Sequence, residues 1–324
     1  MNRRHLLGNA IVAAASAAAG VAAAGSARAF AADTVPGTDA TATGAPATTG
    51  LITRRIPSSG EALPVIGLGT SGPMEVGTDA AARAPLRKVI DAFFEGGGRL
   101  IDTSPMYSSA ERVLDDLLSA RQQKQCFMAT KVWADGAAAG IAQMEQSARL
   151  LKHEPLDLIQ VHNLRDLDTQ LATLRAWKAE GRVRYMGITH YTVAGQADLA
   201  EVIGREKLDF VQLNYSAVTR DAEQRLLPLA ADRGVAVIVN RAFEDGRIFA
   251  IVRGRPLPEW AAEFDATSWG QVFLKYVLAH PAVNCVIPAT GKVANQRDNL
   301  AAGRGRLPDA SQRMRIVEAL KAPS

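Results

Sequence analysis

From residue 51 onward, short apolar runs alternate with segments whose apolar positions recur at helical spacing. The runs cover 65–70, 99–104, 126–132, 156–162, 185–190, 210–216, 236–241 and 285–290. They have strand length and are nearly continuous in apolar residues, as strands covered on both faces are. Helical patterns lie between them, for example over 109–121, 138–151, 167–181, 221–233 and 268–280, and a last one covers 310–321. Alternation of this kind predicts an α/β fold with a parallel sheet, and eight strands predict closure into a (β/α)8 TIM barrel. Upstream, 53–57 and 63–66 flank Ser58-Ser59-Gly60-Glu61, a predicted β-hairpin closing the bottom of the barrel. Ser108 or Ser109 is placed to cap the helix over 109–121, and Gly181 and Gly234 stand where helices should stop.

Several runs end abruptly in a group that moves or orients a proton. Asp102 and Tyr107 stand in IDTSPMY, Lys131 in FMATKVW and His162 in DLIQVHN. In a parallel barrel, successive strands end on one face, so these distant residues converge there. The set suits carbonyl reduction, which needs hydride at carbon and a proton at oxygen. Tyr107 is the proton donor, its pKa expected to be drawn down from about 10 by the Lys131 ammonium. Asp102 would hold that ammonium, and His162 would hydrogen-bond the carbonyl oxygen. Taken singly, each has a plain structural reading: a packing tyrosine, a capping aspartate, an ion pair, a histidine on a backbone carbonyl. Their joint placement at consecutive strand ends favours the chemistry.

With those residues in these positions, the chain resembles the aldo-keto reductases over about residues 51–320. Supporting stretches are LPVIGLGT, RVRYMGIT, FVQLNYS and IPATGKVANQRDNLAA. The resemblance implies a nicotinamide cofactor lying extended across the barrel mouth, with Gln212 on its carboxamide. Thr189 and His190 stand where the family has a serine–asparagine pair, and Asn240 where an aromatic ring commonly stacks on the nicotinamide. Arg241, Ala242 and Phe243, with Thr290, Gly291 and Lys292, match phosphate-binding positions. Lys292 and Asn295 fall near the adenosine 2′-phosphate, which favours NADP(H) over NAD(H). Asp298 and Asn299 resemble the pair that holds the adenine. Met74, Met106 and Trp133, just after the first three strands, are expected to line the substrate pocket.

A competing motif is Gly67-Leu68-Gly69-Thr70-Ser71-Gly72, which matches the G-x-G-x-x-G dinucleotide fingerprint. That fingerprint needs a helix starting at the glycines, and Pro73-Met74-Glu75-Val76-Gly77-Thr78 is loop chemistry instead. A tight glycine loop at a strand end is the better reading.

The first 31 residues read as a twin-arginine signal peptide, with Arg3-Arg4, an alanine-rich stretch, and small-residue exits at Ala27-Arg28-Ala29 or Ala29-Phe30-Ala31. Export machinery of that type is thus an expected partner, the expected location is the periplasm, and no stable membrane anchor is expected. Residues 32–50, rich in Ala, Thr, Gly and Pro, read as a flexible linker, leaving 51–324 as the barrel. The formal charge of +4 comes largely from Arg3, Arg4 and Arg28; without them 34 basic residues face 33 acidic ones. That balance gives no electrostatic case for nucleic acid. Cys126 and Cys285 open different strands and are expected as buried thiols. No His–carboxylate spacing suggests a metal. A small carbonyl compound is the expected substrate. The alternative is a non-catalytic nucleotide-binding barrel acting as a redox sensor, which Asn240 favours, and a barrel with carbohydrate chemistry is a further rival.

Overall fold

The computed structural model describes residues 50–321. The signal segment and nearly all of the linker lie outside the described residues. A short antiparallel hairpin comes first, β1 (Thr53–Arg55) with β2 (Ala62–Pro64). The barrel follows as β3 (Leu68–Gly69), α1 (Ala80–Glu95), β4 (Leu100–Asp102), α2 (Ala110–Leu117), α3 (Ala120–Gln125), β5 (Phe127–Val132), α4 (Ala137–Leu151) and β6 (Leu156–His162). It continues through α5 (Leu167–Ala179), β7 (Val183–Thr189), α6 (Gln196–Arg205), β8 (Phe210–Asn214), α7 (Leu226–Asp232), β9 (Ala236–Asn240), α8 (Ile248–Ile251), α9 (Trp269–Leu278), β10 (Val283–Val286), α10 (Val293–Ala302) and α11 (Ala310–Lys321). Strands β3 to β10 pair in sequence order, all parallel. Parallel bridges from Ile66 to Val286 and from Gly69 to Ala289 close the cylinder.

Strand alternation explains what fills the barrel. Leu100, Phe127, Ala129, Leu158, Tyr185, Phe210, Ala236, Ile238, Cys285 and Ile287 form one buried cluster, together with Ile56 and Leu63 from the hairpin segment. The intervening strand residues, such as Met128, Ile159, Val211 and Val237, join the larger cluster under the helices. Ile56 and Leu63 thus plug the bottom of the barrel, and Glu61 ties the hairpin down by pairing with Arg184 and accepting from the Tyr185 hydroxyl. Both cysteines are buried and free.

The glycine motif serves barrel closure. A side chain at Gly69 would meet the Ile287 carbonyl oxygen at 2.7 Å, and one at Gly67 would meet Ile287 and Leu100 at 2.9 Å. Only glycine lets β3 approach the last strand this closely. No helix begins at these glycines; α1 starts at Ala80, capped by the Asp79 carboxylate.

Three expectations are corrected. The helix expected over 109–121 is two, because Ser119 starts a new one with a reciprocal capping box to Gln122. Ser109 occupies the N-cap position of α2 without capping it, since its hydroxyl accepts from the Gly77 N–H at 2.8 Å. The pattern over 221–233 resolves into a 3-10 turn at Asp221–Glu223 and the shorter α7. Gly181 and Gly234 do end their helices at positive φ, +75° and +64°. If the hairpin plugs the barrel as described, Leu63→Ala should destabilise the protein by about 2–4 kcal/mol in urea unfolding, whereas a loss below about 0.5 kcal/mol would contradict it.

Candidate active site

The same period of two that fills the barrel bottom with apolar side chains delivers polar ones to its top. Lys131 follows Phe127 and Ala129 on the inward face of β5, and Gln160 and His162 follow Leu158 on β6. Gln212 follows Phe210 on β8, Thr189 follows Tyr185 and Gly187 on β7, and Asn240 follows Ala236 and Ile238 on β9. Asp102 ends β4.

These groups form one connected network. The Lys131 ammonium, with no exposed surface, donates to Asp102 Oδ2 at 2.6 Å and to the Thr103 carbonyl at 2.9 Å. Its nitrogen also lies 4.7 Å from the Tyr107 ring centroid. The other Asp102 oxygen accepts from Gln212 Nε2 at 2.8 Å and Gln160 Nε2 at 3.1 Å. Gln212 Nε2 also reaches Gln160 Oε1 at 3.2 Å, while Gln212 Oε1 accepts from Thr189 Oγ1 and Asn240 Nδ2, both at 3.2 Å. The Gln212 amide, expected to hold a carboxamide, therefore has both its donor hydrogens and both acceptor positions committed inside the protein. Asn240 brings no ring to the cleft, and its amide fixes that of Gln212.

The electrostatics divide the labour. Burial by itself would lower the Lys131 pKa, but Asp102 and Tyr107 outweigh it and hold the ammonium above the usual lysine range. Tyr107 departs from expectation: burial pushes its phenol above the ordinary tyrosine value, and the opposing pull of Lys131 does not overcome this. Asp102 adds to the upward push. Burial, then the positive charges of Lys131 and His190, push His162 down to about 3, so its imidazole is neutral at any working pH. Its ring stands edge-on to Tyr107 with centroids 6.0 Å apart.

Above this network opens a cleft of about 1010 Å³, at the upper end of ligand sites. Asp102, Tyr107, His162, Thr189, Gln212 and Asn240 line one part of it, and Arg241, Ala242, Phe243, Thr290, Asn295, Asp298 and Asn299 line the rest. Lys131 lies just beneath, as its bonds require. His190, Gly291 and Lys292 are not among the lining residues. His190 stacks on Tyr191, its Nδ1 accepts from the Thr192 N–H, and Lys292 is exposed at the N-cap of α10. Met74, Met106 and Trp133 do not line the cleft either. Met74 is wholly buried in the core, Met106 is 43% exposed, and Trp133 carries the Arg165 guanidinium 3.9 Å from its ring. The Asp298 carboxylate is engaged by Ser268 Oγ and Gln271 Nε2, both at 2.7 Å.

Sequence reasoning missed Gln160, and also Tyr191, Asp245, Gly246, Phe249 and Trp269 on the cleft wall. Gln160 carried a signal, a polar residue at an inward position of an apolar strand; the wall residues carried none. Among the described residues no group of His, Cys, Asp and Glu could hold a metal ion. The extended cleft, with the Arg241 guanidinium and the positive-φ Gly246 on its wall, fits a dinucleotide with a charged linker.

A stability test follows from His162. Its folded pKa, about 3, lies below the unfolded value of 6.5, so its contribution is complete above pH 6.5 and is lost as pH falls toward 3. The stability difference between wild type and His162→Gln, read by urea unfolding, should narrow across that window with a limiting slope of about 1.4 kcal/mol per pH unit. A pH-independent difference would contradict the buried neutral imidazole.

Comparison with known proteins agrees with this geometry. The profile of the aldo/keto reductase family matches residues 65–320. The methylglyoxal reductase YeaE of Escherichia coli is 28% identical over 268 residues, which cover 81% of this chain and 92% of that one. The holo form of the aldo-keto reductase AKR11C1 from Bacillus halodurans superposes with a TM-score of 0.68 at 24% identity, over 83% of this chain and 96% of that one. An aldo/keto reductase from Klebsiella pneumoniae, solved in complex with NADP and acetate, gives a TM-score of 0.65 at 24% identity over 82% and 94% of the two chains. Eight parallel strands closed into a cylinder, the tetrad gathered at its mouth and the match across nearly all of the described barrel have one meaning: this chain belongs to the aldo/keto reductase family.

Proposed function

We propose that this protein is an NADP(H)-dependent reductase of aldehydes or ketones. The observation that carries the reading is the phenol of Tyr107 at a cleft wall, beside the buried Lys131–Asp102 pair and edge-on to His162. Arg241, the residues around Phe243, and Thr290, Asn295 and Asn299 would hold the dinucleotide, which supplies hydride when bound. Lys292, at the head of α10, is the cation we assign to a 2′-phosphate. One relative is named an NADH-specific methylglyoxal reductase, which keeps NAD(H) as the second choice.

The roles of the chain's own groups follow from their charge states. The high pKa of Tyr107 keeps the phenol protonated before reaction, which a proton donor requires. As negative charge develops on the carbonyl oxygen, Tyr107 gives up its proton and the Lys131 ammonium stabilises the phenolate. Asp102, held on its far side by Gln160 and Gln212, keeps that ammonium in place. His162 donates a neutral hydrogen bond to the same oxygen and orients the substrate. Tyr107→Phe should lower reduction of an aromatic aldehyde by about a hundredfold or more while NADPH binding persists. Unchanged turnover would defeat the reading. NADPH binding by wild type without any turnover would favour the sensor alternative.

We further propose that the protein is exported in the folded state through the twin-arginine route and works in the periplasm. Arg3-Arg4 and the small-residue exit support this reading, and a cofactor-binding fold gives a reason for the route, since the dinucleotide can travel already bound. Arg3→Lys with Arg4→Lys should retain the protein in the cytoplasm on fractionation. Mature periplasmic wild type should carry nucleotide detectable by absorbance. Periplasmic protein that is active but free of nucleotide would overturn cofactor carriage.

A further inference from the structure

The four groups at the barrel mouth leave one question open: which nitrogen of the neutral His162 imidazole carries the proton. Only a protonated Nε2 could donate to a carbonyl oxygen if Nδ1 is engaged elsewhere, and Nδ1 is engaged. Ser104 Oγ lies 3.3 Å from it. Ser104 is 1% exposed, and its oxygen already accepts from the Met106 N–H at 3.1 Å. A hydroxyl has one hydrogen to give, and among the described residues the acceptor paired with Ser104 Oγ is Nδ1. A proton on Nδ1 instead would leave the serine hydrogen buried and unpartnered, which is unfavourable. We infer that Ser104 is a positioning residue that fixes His162 as the Nε2–H tautomer, so that its donor faces the cleft and its acceptor faces inward.

This rests on the proposed carbonyl chemistry only for its consequence; the tautomer itself is a property of the ground state. Ser104 stands two residues after Asp102 and three before Tyr107, so one turn supplies a holder of the ammonium, the tautomer lock and the proton donor. The backbone helps, because the Met106 N–H occupies one serine lone pair and directs the hydroxyl hydrogen toward the ring.

The test is 15N-histidine labelling of the full chain, with the His162 signals assigned by their loss in His162→Gln. Long-range 1H–15N correlations should show wild-type His162 with Nε2 protonated and Nδ1 bare, and Ser104→Ala should show exchange between the two tautomers. Ser104→Thr, which keeps a hydroxyl, should retain the wild-type pattern. In turnover, Ser104→Ala should lose roughly threefold to tenfold in kcat/KM for the carbonyl substrate with NADPH affinity unchanged, and less than about twofold in a His162→Ala background. An Nδ1–H pattern in wild type, or an unchanged Nε2–H pattern in Ser104→Ala, would overturn the assignment, whatever the assays say about reduction. Absence of any carbonyl turnover in wild type would instead defeat the proposed function while the tautomer stands or falls by its spectra.

Discussion

An ammonium with no exposed surface sits at the top of the barrel, and most of the surrounding polar structure answers to it. Taking such a cation out of water costs several kcal/mol unless its hydrogens are paired and its charge is met. Lys131 donates to Asp102 and the Thr103 carbonyl, and lies 4.7 Å from the Tyr107 ring centroid. That solution creates a second demand, because Asp102 is itself 2% exposed and its remaining oxygen needs donors. Gln160 and Gln212 meet it, and Gln212 must then have its own oxygen satisfied, by Thr189 and Asn240. Residues from six strands are thereby fixed by one buried charge.

Burial, together with the same charge, sets the states of two titratable groups on the cleft wall. A phenol beside an ammonium is cheaper to ionise than a phenol alone, yet burial keeps Tyr107 protonated at rest. Burial first, and then the ammonium's field, deny the imidazole a positive charge, so His162 stays neutral. Two titratable groups with ring centroids 6.0 Å apart are thus both uncharged at rest, as the proposed proton source and the proposed neutral donor must be. The resting pKa of Tyr107 and its behaviour during transfer are different quantities. Burial makes the resting phenol a weaker acid, and the ammonium, by favouring the phenolate, opposes that rise without cancelling it.

Much of this was legible in the sequence because barrel strands obey a strict period of two. A lysine or histidine two places after an inward apolar residue has nowhere to point except the top of the cylinder. The run at 156–162 matches β6 residue for residue. Gln160 obeyed the same rule and went unread, since an amide has no proton chemistry to announce it. The break at Ser119 was hidden because the residues on either side are good helix formers, and only the Ser119–Gln122 box separates α2 from α3. Hydrophobicity just after a strand could not tell Met74, sealed in the core, from a pocket wall. Tyr191 and Asp245 come from segments between the strands and the long helices, whose positions depend on long-range packing rather than on any local period.

The departure at position 240 changes how the cleft grips a ligand. A ring there would present an apolar face for stacking; Asn240 instead turns inward to the Gln212 carbonyl, and Gln212 is spent on Asp102. What the walls offer in compensation is charge. Among the described lining residues Arg241 is the side chain with a permanent positive charge, steered by Asp245 at 3.2 Å and held over the Tyr191 ring at 4.5 Å. A guanidinium already oriented by a carboxylate and an aromatic face loses little further freedom on meeting a phosphate. With stacking forgone and one fixed cation retained, the proposed dinucleotide would be gripped mainly at its phosphate end. Its nicotinamide end would then be left to the floor formed by Tyr107, His162 and the amide network beneath them.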